Sequence, residues 1–178
     1  MIDLLPRAAG GIVLRRLNAT DLADFQSYRR DPELGRYQGW VATPDHDARD
    51  LLNCMNQAPL LQPGTWCQIG IADAHSLTLI GDIGLILARD ASQAEIGFTL
   101  RRKSQGNGLA TAAVKEAIAL VFESTSAKKV VGIADTRNLS SIRLLERVGM
   151  LKVETRNAKS RGKPCTELVY NAYKHNVG

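Results

Sequence analysis

Apolar residues recur along the chain with two periods, and the changes of period mark out its elements. Aliphatic and β-branched runs from Thr65 to Ala72, Leu77 to Ala88 and Ala94 to Leu100 are bounded by Pro63-Gly64, Asp73-Ala-His-Ser76 and Asp90-Ala-Ser92, which predicts strands joined by turns. In the last run Ile96, Phe98 and Leu100 face one way and Glu95, Gly97 and Thr99 the other. From Gly108 to about Ser124 the period becomes helical, with Leu109, Ala113, Ala117 and Leu120 beside Ala110, Val114, Ile118 and Val121. Ala127 to Asp135 is apolar on both faces, the pattern of a central strand covered by helices. Strand, helix and strand make a βαβ unit, with its ligand site at the carboxyl end of the first strand.

Upstream, Gly11 to Leu17 predicts a short strand and Thr20 an N-cap for a helix to about Arg30, with Leu22, Phe25 and Tyr28 on its apolar side. Asp31-Pro32 interrupts it, and Leu34 to Val41 reads as a loop carrying Tyr37 and Trp40, which either line a substrate entrance or tuck under the helix pair. Thr43-Pro44-Asp45 opens a second helix to about Gln57, with Ala48, Leu51, Leu52 and Met55 at helical spacing. Downstream, Asn138 caps a helix with Leu139, Ile142, Leu145 and Val148 on its buried side and Gly149 at its end. Met150 to Thr155 and Cys165 to Ala172 predict a final hairpin with a polar tip from Arg156 to Pro164. No repeat or linker divides the chain, so residues 1–178 are expected to form a single domain.

Hydrophobic residues at 44% and charged residues at 23% are ordinary for a folded protein. A net charge of +5 raises the question of nucleic acid, but the cations are scattered and aromatics are only 5%, too few for a base-stacking platform. Cys54, Cys67 and Cys165 are odd in number and far apart, which fits free thiols in a reducing cytosol, and no metal site is expected of them or of the three histidines. Met1 to Gly10 lacks a signal peptide's apolar run and no window approaches a membrane span, so the expectation is a cytoplasmic protein without membrane or nucleic-acid partners.

The candidate chemistry lies in Gln105-Gly106-Asn107-Gly108, between the strand ending at Leu100 and the long helix. Glycines let a ligand approach the main chain, and the first N–H groups of a helix are unpaired at its positive end, so this turn is suited to a phosphorylated ligand. Arg101, Arg102 and Lys103 precede it and add positive charge.

Gln105-x-x-Gly108-x-Ala110 resembles the acyl-CoA-binding motif Arg/Gln-x-x-Gly-x-Gly/Ala of the GCN5-related N-acetyltransferases. Asn138-Leu-Ser-Ser-Ile-Arg-Leu-Leu-Glu-Arg-Val-Gly-Met150 is similar to Asn-x-x-Ser-x-x-x-x-Glu-Lys-x-Gly-Phe of the ribosomal-protein alanine acetyltransferase branch. The resemblance spans roughly Gly11 to Tyr173. It implies an α+β fold, a mixed and mostly antiparallel twisted sheet of about seven strands flanked by about four helices.

It also implies acetyl-CoA as co-substrate, with its pyrophosphate on Gln105, Gly106, Asn107, Gly108, Leu109 and Ala110 and its pantetheine arm along the strand end. A backbone N–H near Thr99 or Leu100 then polarises the thioester carbonyl. Asn138 binds the arm and Ser141 reaches the sulfur. Many members carry a Tyr general acid four residues after the position of Ser141, where this chain has Leu145. Glu95 is the candidate general base or substrate-orienting carboxylate. The expected activity is acetyl transfer to a primary amine, foremost a protein N-terminal α-amine, with a small-molecule amine (aminoglycoside or polyamine) or a non-catalytic acyl-CoA sensor as alternatives. A monomer and a homodimer both remain open.

Overall fold

The structure, a computed structural model, describes residues 3–175. Their eight-stranded sheet has the order β1-β2-β3-β4-β5-β6-β8-β7. The strands are β1 (Arg7–Ala9), β2 (Ile12–Arg15), β3 (Trp66–Asp73), β4 (Leu79–Leu87), β5 (Gln93–Leu100), β6 (Lys129–Asp135), β7 (Leu151–Ser160) and β8 (Lys163–Tyr173). All neighbours are antiparallel except β5 and β6. Five α-helices are found among the described residues: α1 (Leu22–Arg29), α2 (Pro32–Gly35), α3 (Asp45–Gln57), α4 (Leu109–Ser124) and α5 (Leu139–Arg147). The mixed, mostly antiparallel α+β architecture is the one expected. The extra strand, β1, has three residues, too few to show a period.

The long helix predicted from Gly108 is α4, and its apolar arc buries Ala113, Val114, Ala117, Ile118, Leu120 and Val121 against one face of the sheet. Helix α5 joins it there through Leu144 and Leu145. Leu139, expected on the buried side, is exposed in the first turn, where the chain enters from the end of β6. The opposite face carries a smaller core in which Phe25 and Tyr28 of α1 and Ala48 and Leu52 of α3 meet Leu17 and Leu79.

Several caps differ from expectation. Asn18, not Thr20, caps the turn before α1, in a reciprocal box with Asp21. Pro44 stands at the start of α3 with no side-chain cap from Thr43. The loop expected from Leu34 overlaps the end of α2, a short turn of helix that Pro32 begins and in which the Asp31 side chain accepts from the N–H of Glu33. The presumed hairpin tip is mostly strand. Pairing of β7 with β8 continues to Ser160↔Lys163, and the turn is only Arg161-Gly162, with φ of 49° and 75°. Its polar residues have no apolar alternation, so no period showed them as strand.

One departure from regular pairing creates the site. Strands β5 and β6 pair from Gln93↔Lys129 to Ile96↔Gly132 and then separate, although β5 continues to Leu100 and β6 to Asp135. Each keeps its outer neighbour, β5 on β4 and β6 on β8, so the sheet opens without fraying.

Candidate active site

The opening leads into a cleft of about 850 Å³. Phe98, Thr99 and Leu100 form one wall, and Asn138, Ser141 and Leu144 another. Because the Arg101 N–H bonds the Ile80 carbonyl of β4 at 2.8 Å, the alternation of an antiparallel pair turns the peptide groups of Phe98 and Leu100 towards the opening and those of Thr99 towards β4. Of the two N–H groups considered for the thioester carbonyl, Leu100 is therefore the one that faces the cleft, and Thr99 is occupied by its strand.

The turn after β5 closes one end. The Gln105 side-chain amide donates to the Leu100 carbonyl at 2.9 Å and so fixes the turn to the strand end. Gly106 and Gly108 have φ of 84° and 76°, and a methyl group on either would meet no atom within 4 Å. Gly108 begins α4 without a side-chain cap, leaving the first N–H groups of the helix for a ligand. Thr111 Oγ1, buried just inside, has no hydrogen-bond partner. Open space at two glycines, unpaired helix donors and an orphaned hydroxyl together fit a pyrophosphate.

The positive charge comes from residues other than those expected. Arg101 Nε is spent on Ser104 Oγ at 2.7 Å, and Arg102 grips the Asp31 carboxylate with contacts of 2.6 and 3.1 Å. Neither these two nor Lys103 lines the cleft. Arg143 and Arg147, one turn apart on α5, do so together with Arg36 and Arg137. Their i, i+4 spacing opposite the Leu144–Leu145 side was readable in the sequence, but their proximity to the glycine turn is a matter of tertiary structure.

Asn138 Oδ1 caps α5 by accepting from the Ser141 N–H at 3.3 Å and from Ser140 Oγ at 3.1 Å, which leaves the Asn138 amide as a donor to the cleft. Leu145, where a Tyr would stand in many similar sequences, is buried in the core.

A loop roofs the inner end. The Gln38 amide donates to the Phe98 carbonyl at 3.2 Å, and the Tyr37 ring lies 5.8 Å from the Arg36 guanidinium and 5.4 Å from that of Arg137. Arg161, at the tip of the β7–β8 hairpin, donates through Nη2 to the carbonyls of Gly35, Gln38 and Trp40 at 2.8, 3.3 and 2.9 Å. Trp40 itself turns away from the cleft. Its ring lies 4.4 Å from the Arg29 guanidinium over a separate hollow of about 300 Å³, and its Nε1 donates to Thr99 Oγ1 at 3.4 Å.

Beneath Trp40, Asp82 is buried and accepts from Arg29 at 2.9 Å, from Gln68 at 2.8 Å and from the Tyr28 hydroxyl. Burial, with the Asp82 charge added, raises the Tyr28 hydroxyl well above its ordinary range and keeps it a donor.

Of the sequence-predicted residues, the cleft gathers Tyr37, Thr99, Leu100, Gln105, Gly106, Gly108, Leu109, Ala110, Asn138 and Ser141. Asn107 lies outside it, exposed on the turn. Glu95 also lies outside, on the sheet face away from α4 and α5, two residues beyond Gly97 from the cleft-lining Thr99. Desolvation by its surroundings raises its carboxyl above the ordinary 4.5, opposed by the Arg156 charge and assisted by that of Glu167.

Residues 12–151 match the family model described as an acetyltransferase (GNAT) domain. The uncharacterized N-acetyltransferase p20 of Bacillus licheniformis is 27% identical over 143 residues, 79% of each chain. Spermidine N-acetyltransferase from Vibrio cholerae, solved with CoA and spermine, superposes with a TM-score of 0.78 at 17% identity, covering 94% of this chain and 98% of that one. A Vibrio cholerae protein assigned as a ribosomal-protein-serine acetyltransferase gives 0.79 at 16% identity over 95% and 97%.

Proposed function

Because the chain belongs to the GNAT acetyltransferase family, we propose that this acetyl-CoA-dependent N-acetyltransferase transfers its acetyl group directly to the N-terminal α-amine of a protein or peptide, as a single catalytic domain of the ribosomal-protein acetyltransferase branch. The observation that carries the reading is the separation of β5 from β6, which turns the Leu100 N–H into a cleft that continues to the glycine turn.

Acetyl-CoA supplies an acetyl thioester. The N–H groups of Leu109 and Ala110, the Thr111 hydroxyl and the Arg143 and Arg147 side chains hold its phosphates. The Asn138 amide orients the pantetheine arm. The Leu100 N–H is an oxyanion donor, fixed in place by β4 and Gln105 and so costing no reorganisation as charge develops. Ser141 contributes a hydroxyl to the leaving sulfur. Leu145 offers no second acid, and a thiolate with a free pKa of about 8.5 needs little help to leave.

Glu95 takes the amine proton through water. The strand rise places it about 13 Å from Thr99, four residues on, too far for direct contact with both reacting groups. An α-amine, with a pKa near 8 against about 10.4 for lysine, is the acceptor most readily freed of its proton by such a base. The likeness to the Vibrio spermidine acetyltransferase supports a small amine as the second reading.

Glu95→Gln and Ser141→Ala are expected each to lower kcat about tenfold or more, with acetyl-CoA affinity unchanged. Since Glu95 must be ionised to accept a proton, kcat of the native protein will rise with pH through a carboxyl pKa above 4.5, and the Gln variant will lose that limb. Unchanged rates for both variants would overturn the roles given to Glu95 and Ser141.

A further inference from the structure

The sheet face that carries Glu95 is only partly covered, because α1 and α3 pack over its other end, around Asp82 and Leu79. Cross-strand partners put Trp66 beside Ile86, Ile86 beside Glu95 and Glu95 beside Val131, so the four side chains form one row on that face. The next row towards the cleft contains Gly84 paired with Gly97.

These glycines differ in what stands over them. A methyl group on Gly84 would overlap the Trp66 indole, whereas one on Gly97 would meet nothing within 4 Å. A slot one residue wide is therefore open above Gly97, with the indole along its side. Trp66 keeps 44% of its surface exposed. Two residues to one side lies Glu95 and two to the other lies Thr99, which also lines the cleft, each about 7 Å away by strand spacing. An amine seated over Gly97 is thus between base and cleft.

Charge narrows the occupant. Glu95 forms no ion pair among the described residues; on β6 and β8 the carboxylates of the same face are committed, Asp135 to Arg137 at 2.7 Å and Glu167 to Arg156 at 3.2 Å, and Glu154 stands three strands away on the edge strand β7. On the two strands next to Glu95, β6 and β8, a second ammonium would find those arginines rather than a free acid. The remaining walls, Trp66, Ile86 and Val131, provide apolar surface.

We propose that the slot over Gly97 is the acceptor subsite and selects a singly charged amine whose neighbouring side chain is apolar, with Trp66 and Gly97 as its specificity-determining residues. This rests on the α-amine reading above.

The test uses peptides identical except for a first residue of Leu, Gly, Asp or Lys, with spermidine as the polycationic probe. The native protein is expected to acetylate the Leu peptide with kcat/KM about tenfold or more above the Asp and Lys peptides and spermidine. Gly97→Val fills the slot and Trp66→Ala removes its wall. Each should abolish the preference and lower kcat/KM for the Leu peptide about tenfold, leaving the acetyl-CoA Kd and the thermal midpoint near native values. Both sites are exposed or open, and opposite changes of volume with one outcome separate the subsite from misfolding. A flat profile across acetylated peptides, or variants that keep the preference, overturns the subsite and leaves the α-amine reading standing. Acetylation of spermidine and of no peptide overturns both.

Discussion

Gly108→Asp is expected to weaken acetyl-CoA binding by about two orders of magnitude, about 2.7 kcal/mol. Gly108 begins α4 in the left-handed region, and the space beside it is open to the cleft. A carboxylate there brings negative charge to the positive end of the helix, where the pyrophosphate is to lie, and competes for the same N–H groups. The fold should tolerate the change, because Asp enters the left-handed region more readily than most residues and meets no neighbouring atom. Calorimetric titration with acetyl-CoA measures the effect, and Gly108→Ala, which adds bulk without charge, should give a smaller loss. Native affinity in the Asp variant would remove the helix start from the cofactor site.

Asp82→Ala should destabilise the protein by about 3–5 kcal/mol, because it leaves a charged Arg29 in the interior. The Arg29 and Asp82 side chains are 6% and 4% exposed, so solvent cannot replace the lost carboxylate. For a domain of this size that is a fall in Tm on the order of 10 °C. Replacing both partners with apolar residues, Arg29→Met with Asp82→Leu, should recover most of the loss, since the pair itself contributes far less than its half-removal costs. Urea titrations of the single and double variants distinguish the outcomes. Equal loss in both would show that the cluster contributes more than the pairing of its charges.

Much of this architecture was legible in the sequence because it rests on local period and turn chemistry. The run from Ala94 through α4 to Asp135 combined a strand, a glycine turn and a helix that each state their own geometry, and the cleft formed where they meet. What stayed hidden depends on distant neighbours. Arg101, Arg102 and Lys103 were adjacent to the turn in sequence, but Asp31 and Ser104 claim two of them, and Arg143 and Arg147 arrive instead from α5. Trp40 looked exposed on a polar loop, whereas a buried Arg29 beneath it takes its ring. Trp66 gave no signal at all, since its position over one half of a glycine pair follows only from the register of β3, β4 and β5.

The parting of β5 from β6 gives the molecule a sheet edge in its interior. Edges are normally liabilities that a protein covers, and here two glutamine amides stand in for the absent strand, Gln105 at the Leu100 carbonyl and Gln38 at that of Phe98. The first belongs to the turn and is fixed, while the second hangs from the loop that Arg161 clasps. A ligand arm with its own amides would complete the edge as a surrogate strand, taking at the Phe98 carbonyl the place that Gln38 holds. Gln38 and Gln105 thus mark the two carbonyls of β5 that such an arm would meet.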